Sequence, residues 1–188
     1  IYRIKLLGRR IPLYCEWELT NYCNMSCAFC STLTEDRNSA PDVSPQEALG
    51  MIDQLAEMGT KIIHFSGGEP TLRADLQDLV ARAKQHRMMV SFTTNGSAST
   101  SKMEKLLATD IIRVSIDGTE DFHDSSRVSP GAFKKAVGTL RFLVSRGKKP
   151  LITMICMDDT PYEMFEELAD LAQKLKIKLS LNVFGNSF

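Results

Sequence analysis

The chain has 188 residues, 43% of them hydrophobic and 24% charged, with 23 basic residues balancing 23 acidic ones. That is enough apolar sequence for one soluble globular domain with a proper core. The zero formal charge gives no electrostatic footprint for nucleic acid, and no run approaches membrane-spanning length or a signal-peptide pattern. Five cysteines, three of them clustered, do not make a disulfide framework. They point to a reducing compartment, so a cytoplasmic location is expected.

Residues 1–12 read as a basic leader containing Arg3, Lys5, Arg9 and Arg10. A strand from about Leu13 to Leu19 leads into the run Cys23-Asn24-Met25-Ser26-Cys27-Ala28-Phe29-Cys30. Ser44 then reads as an N-cap, with Pro45 at the first helical position and Glu47 in the first turn. The helix it opens carries Ala48, Met51, Ile52, Leu55 and Met58 at helical spacing and stops at Gly59. Lys61–Phe65 is a short β-rich run, Leu72 or Arg73 to His86 is helical, and Met88–Phe92 is a third strand. Ser101–Ala108 is a short helix, Ile111–Ile116 strand four, Phe133–Arg146 a helix and Leu151–Cys156 strand five. Thr160-Pro161 opens a last helix to about Leu175, and Lys178–Val183 is strand six.

Six strands alternating with five helices predict an α/β parallel sheet wound in one direction. Periodicity leaves open whether it is a doubly wound sheet or an incomplete (β/α) barrel. Either way the Cys23–Cys30 loop, Gly67-Gly68, Thr94-Asn95 and Ser115–Asp117 follow strands one to four, at the carboxyl ends where ligands bind such folds. Cys15 and Cys156, in strand-like runs, are expected to be buried small hydrophobes. The nine methionines, Met51, Met58, Met88, Met89 and Met154 among them, are expected in the core.

Thiolate is the ligand that iron–sulfur clusters prefer, and their usual complement is four cysteines. Cys23, Cys27 and Cys30, with no obvious fourth, therefore read as a cluster with one open iron. The alternatives are a three-thiol zinc site completed by a distant histidine, or buried free thiols. Zinc sites usually come as two spaced pairs, and there is no second pair.

The cysteine run resembles the signature of the radical S-adenosylmethionine (radical SAM) superfamily, with Phe29 at its aromatic position. Gly67-Gly68-Glu69-Pro70 is similar to that family's GGEP motif. Thr94-Asn95-Gly96 and Ser115-Ile116-Asp117-Gly118 resemble segments of its SPASM and molybdenum-cofactor branches, and His123-Asp124-Ser125-Ser126-Arg127 resembles an H-D-x-x-R stretch of the former. The resemblance runs from about Tyr14 to the C-terminus. It implies a partial (β/α)6 barrel over residues 13–188 and a [4Fe–4S] cluster on Cys23, Cys27 and Cys30. S-adenosylmethionine would chelate the open iron.

By the same resemblance Gly67 and Gly68 receive the methionine ammonium, with Glu69 as a charged acceptor. Phe29 lies against adenine, Ser115 contacts ribose or the methionine carboxylate, and Thr94 and Asn95 point the same way. Arg127 pairs with that carboxylate; its bland alternative is a surface arginine beside Asp124. Val183 and Phe184 form a floor under adenine or simply pack. Asp117 holds the strand-end turn through backbone bonds, and His123 is structural.

The implied reaction is reductive cleavage of S-adenosylmethionine to a 5′-deoxyadenosyl radical that takes hydrogen from a peptide or a biosynthetic small molecule. A flavodoxin or ferredoxin would donate the electron. The competing reading is an iron–sulfur protein that binds S-adenosylmethionine or transfers electrons without radical turnover. Branch members carry further C-terminal cysteines for auxiliary clusters, and none are present here. Ile1 in place of Met, and a last strand with no helix to cover it, give the expectation that both ends are cut.

Overall fold

The computed structural model describes residues 11–30 and 41–183. Most of the expected leader and Phe184 lie outside the described residues. Six strands form one parallel sheet: β1 (Tyr14–Thr20), β2 (Ile62–Gly67), β3 (Met89–Thr94), β4 (Ile111–Ser115), β5 (Leu151–Cys156) and β6 (Lys178–Val183). Their spatial order is their sequence order, β1-β2-β3-β4-β5-β6. A doubly wound sheet reverses direction at a switch point. This one never does, and among the described residues β1 and β6 do not pair, so the sheet is an open arc of a barrel.

Helices connect the strands: α1 (Pro45–Met58), α2 (Leu76–Gln85), α3 (Thr100–Lys105), α4 (Glu120–Ser126), α5 (Ala132–Ser145) and α6 (Tyr162–Leu175). The start of α1 is set as the sequence predicts. Ser44 Oγ accepts from Glu47 N while the Glu47 carboxylate accepts from Ser44 N, a reciprocal capping box, and Gly59 closes the helix at φ 99°. The second helix begins later than expected. Glu69 caps a separate 3-10 turn at Pro70–Leu72, so the α-helical run starts at Leu76. The seven-residue α4, capped by Thr119, was not expected, because it offers almost no apolar periodicity.

Alternation along the strands sorts the two faces. Trp17, Leu19, Ile63, Phe65, Val90, Phe92, Ile112, Val114, Ile152 and Met154 face the helices and belong to one continuous core with Ile52, Leu79, Leu140 and Leu168. The alternate positions face a concave cavity of about 500 Å³. Of the methionines expected inside, Met88 and Met154 are buried, whereas Met51, Met58 and Met89 are 42%, 57% and 39% exposed. They flank the helix stripe or cap the strand start and do not point along it. Cys15 and Cys156 are half-buried and pack against the core. No helix among the described residues is long and apolar enough to cross a membrane.

Candidate active site

The cavity opens at the carboxyl ends of the strands. Cys23, Cys27, Phe29 and Cys30 border it from the loop after β1, Gly67, Gly68 and Glu69 from β2, Thr94 and Asn95 from β3, and Ser115 from β4. Arg127, from the end of α4, also lines it. These sequence-predicted residues are brought to one place. Val183 is not: it is 81% exposed, and the β6 side chain on the cavity wall is Asn182.

The cysteine loop is held at three points. At β2, Gly68 N donates to Thr20 O and Glu69 N to Tyr22 O, both at 2.7 Å. At β3, Asn95 Nδ2 donates to Asn24 Oδ1 at 2.8 Å, and Asn24 Nδ2 to Ser97 Oγ at 2.9 Å. At α4, Ala28 N donates to Ser126 O at 2.9 Å. The glycines are required here for close chain approach. A Cβ on Gly68 would stand 2.1 Å from Tyr22 O, and one on Gly67, at φ 107°, 2.4 Å from Thr20 O.

Glu69 is 1% exposed and ties this rim together. Its Oε1 accepts from Thr71 N (3.0 Å), Thr71 Oγ1 (2.5 Å) and Thr94 Oγ1 (2.8 Å), and its Oε2 from Asn95 N (2.6 Å). Burial pushes its carboxyl upward, and the hydrogen bonds pull back without cancelling that. Thr94 and Asn95 thereby serve the frame: Thr94 Oγ1 also accepts from Gly96 N, and Asn95 Oδ1 from Ser97 N. Ser115 ends β4 on the cavity wall, 8% exposed.

Arg127 lines the cavity as expected, and its surface alternative does not hold. It is neither on the surface nor beside Asp124, which instead caps α5 by accepting from Gly131 N and Phe133 N. Its guanidinium fork is taken by Asp117: Nε donates to Oδ2 at 2.7 Å and Nη2 to Oδ1 at 3.2 Å. The same guanidinium lies 5.3 Å from the centre of the Phe29 ring. Asp117, expected to hold the turn through backbone bonds, accepts one from Ile155 N at 3.1 Å but is chiefly the partner of Arg127. Burial raises its carboxyl, yet His123, the Arg127 charge and the Ile155 N–H outweigh that and bring it down to about 2. His123 is fully buried and its Nδ1 accepts from Asp117 N at 3.2 Å.

The donor set suits a thiolate-ligated cluster. Cys27 is 8% exposed and packs with Met25 and Ala132, with Cys23, Phe29 and Cys30 against them. Burial pushes its thiol up, Arg127 opposes that, and the neighbouring Cys23 and Cys30 add to it. Among the described residues no trio of His, Cys, Asp and Glu closes on a single ion. Thiolates that each bind a different iron of a cluster need not converge on one point, as ligands of a single zinc at about 2.3 Å must.

Sequence reasoning missed Asn24, the buried Asp117–Arg127 pair and the deeper cavity wall, where Glu16, Glu18, His64 and Arg113 project. A signal for the last was present. A sheet covered by helices on both faces is apolar on both, whereas Glu16, Glu18, His64, Ser66, Arg113 and Ser115 alternate with apolar residues along β1, β2 and β4.

Comparison with known proteins agrees with this geometry. The Fe-coproporphyrin III synthase of Methanosarcina barkeri is 35% identical over 136 residues, 71% of this chain and 34% of that protein. The mycofactocin maturase MftC of Mycobacterium tuberculosis is 32% identical over 171 residues, 89% of this chain and 43% of the relative. The chain thus spans less than half the length of these relatives. Among solved structures, Streptococcus suis SuiB bound to its precursor peptide SuiA superposes with a TM-score of 0.83 at 20% identity, over 97% of this chain and 42% of that one, which supports the fold. The model of the radical SAM superfamily matches residues 17–172, from the tryptophan of β1 to the last turns of α6, and the chain belongs to that superfamily.

Proposed function

We propose that residues 13–188 form the S-adenosylmethionine-cleaving core of a radical SAM enzyme that acts on a peptide or a biosynthetic small molecule. The observation that carries this is the meeting of three thiols and the Gly67-Gly68 turn at one end of one cavity. Cys23, Cys27 and Cys30 would hold a [4Fe–4S] cluster, and S-adenosylmethionine would lie beside it under Gly67, Gly68 and Ser115. Together these groups would supply the chemistry, a reductive cleavage of the cosubstrate that makes hydrogen abstraction from the substrate possible.

The chain's own residues position and shield. Carbonyls at Gly67 and Gly68 accept the methionine ammonium, since no side chain intervenes. Glu69, already holding four donors, keeps that turn in place. Phe29, backed by Arg127, presents an apolar face to adenine. Arg127 sets its charge near the thiolates and, with its fork held by Asp117, orients Phe29 instead of gripping the carboxylate of the cosubstrate. The concave wall below receives the substrate. An electron donor of flavodoxin or ferredoxin type and a cytoplasmic, reducing setting fit such a cluster. Relatives named as a mycofactocin maturase and an Fe-coproporphyrin III synthase support a substrate of a biosynthetic kind.

The test is anaerobic reconstitution with iron and sulfide, reduction in the presence of S-adenosylmethionine, and mass-spectrometric detection of 5′-deoxyadenosine. Product is expected from the wild type and not from Cys27→Ala. Ser115→Ala is expected to weaken S-adenosylmethionine binding with iron content unchanged. A loaded cluster that binds the cosubstrate but gives no product would support the binding-only or electron-transfer reading.

A further inference from the structure

Below the strand ends the cavity wall carries a charge that the frame of the site does not use. Arg113 stands in the middle of β4, opposite Thr93 of β3 and Leu151 of β5, and lines the cavity. Ser115, two residues further along, marks the rim. A strand rises about 3.3 Å per residue, so Arg113 lies about 7 Å deeper than the level assigned to S-adenosylmethionine. Its Nε is buried and makes no hydrogen bond, and no carboxylate among the described residues forms an ion pair with it. Arg127 differs, since its fork is filled by Asp117. A buried guanidinium N–H left unmet costs free energy, and native structures rarely retain one without a ligand or water to satisfy it.

Neighbouring groups narrow what completes it. His64 is not the partner: its Nδ1 contacts Ser91 Oγ at 2.7 Å and its Nε2 contacts Thr93 Oγ1 at 3.1 Å. Burial, and then the Arg113 charge, depress its basicity, so it stays neutral. Glu16 and Glu18, exposed to the cavity from β1, face the same space. They repel a dianion such as phosphate and offer acceptors to N–H groups. One guanidinium fork against two carboxylates fits a single carboxylate on a molecule that also carries N–H donors.

We propose, on the reading of the cavity given above, that Arg113 anchors the substrate by pairing with one of its carboxylates, and that the substrate is an amino-acid or peptide-like molecule bearing that acid. Glu16 and Glu18 then meet its amide or ammonium hydrogens. Held from below in this way, the substrate presents a carbon upward to the cosubstrate.

Calorimetric titration of the reconstituted, S-adenosylmethionine-saturated protein tests the assignment with three probes: N-acetylglutamate α-amide, the neutral N-acetylglutamine amide, and methyl phosphate. The carboxylate probe is expected to bind roughly tenfold tighter than its neutral isostere. Arg113→Gln should erase that preference while leaving S-adenosylmethionine affinity unchanged, and Arg113→Lys should restore part of it. Equal binding of the two amides overturns the proposal. So does tighter binding of methyl phosphate, a preference that survives in Arg113→Gln, or no binding of the carboxylate probe to a sample that binds S-adenosylmethionine. Failure of the wild type to bind S-adenosylmethionine would instead overturn the reading of the cavity itself.

Discussion

Two buried ionisable side chains show how the rim and the wall of the cavity are kept in shape. Glu69 accepts four hydrogen bonds, two of them from the main-chain N–H groups of Thr71 and Asn95. Glu69→Gln keeps the volume but turns an amide nitrogen toward at least one of those donors. A loss of about 1–3 kcal/mol is expected from leaving buried donors unmet, read as a lower urea midpoint of the apo protein. A midpoint unchanged from wild type would show that Thr94 or Thr71 reorients to accommodate it. His64 gives a pH dependence of the opposite origin. Its basicity is depressed below the ordinary value of 6.5, first by burial and then by Arg113. The unfolded chain therefore takes up the proton at a higher pH than the folded one. The stabilisation is complete above about pH 6.5 and is lost progressively as pH falls below it. Urea midpoints at about pH 7.5 and 5.5 should differ more for wild type than for His64→Gln. Equal differences would assign the acid sensitivity to other groups.

At the scale of elements, the cysteine loop is a docked part and the β2 turn is its dock. Alanine at Gly68 would place a methyl 2.1 Å from the Tyr22 carbonyl oxygen, a severe overlap with a main-chain atom that cannot swing away as a side-chain tip can. Gly68→Ala is expected to push the loop off its two hydrogen bonds, with iron content after reconstitution falling to a minor fraction of wild type while far-ultraviolet dichroism is retained. Full iron loading would show that the loop shifts as a unit. The strands, and helices such as α1 and α5, were legible because their signals are local: a capping box around Ser44 and Glu47, an apolar stripe, a terminating glycine. The short α4 was not. It has seven residues, and it is held by a bond distant in sequence, Ala28 N to Ser126 O, and by the buried Arg127–Asp117 pair across its own turn. For the same reason the hydrogen-bond partners of Glu69 and Arg127 could not be read from the motifs. A motif shows that two charged residues belong near a ligand, but only the folded chain shows that each already has a partner. The wall formed by Glu16, His64 and Arg113 was readable in principle, because polar alternation on a helix-covered sheet marks a face turned to a cavity.

Across the whole molecule, the main core and the cysteine loop are separate packing units. The core runs unbroken from Leu19 on β1 to Ala172 on α6, between the outer face of the sheet and the helices. Met25, Cys27 and Ala132 form a second, small cluster with Cys23, Phe29 and Cys30 around it. A closed barrel fills its interior with layers of apolar side chains. Here the interior is a cavity lined by polar and apolar side chains alike, so the continuous apolar packing lies in the outer layer, between sheet and helices. Cys27→Ala removes one buried sulfur from the small cluster and none from the main core. It is therefore expected to cost less than about 1.5 kcal/mol in the apo protein even though it removes one ligand of the proposed cluster. Trp17, the sole tryptophan, reports on the core, since its ring centre lies 6.1 Å from that of Phe65. Its fluorescence and the far-ultraviolet dichroism should give coincident urea transitions in Cys27→Ala and wild type, both free of metal. Divergent transitions, or loss of the cooperative one, would mean that the cysteine loop belongs to the folding unit even without a metal.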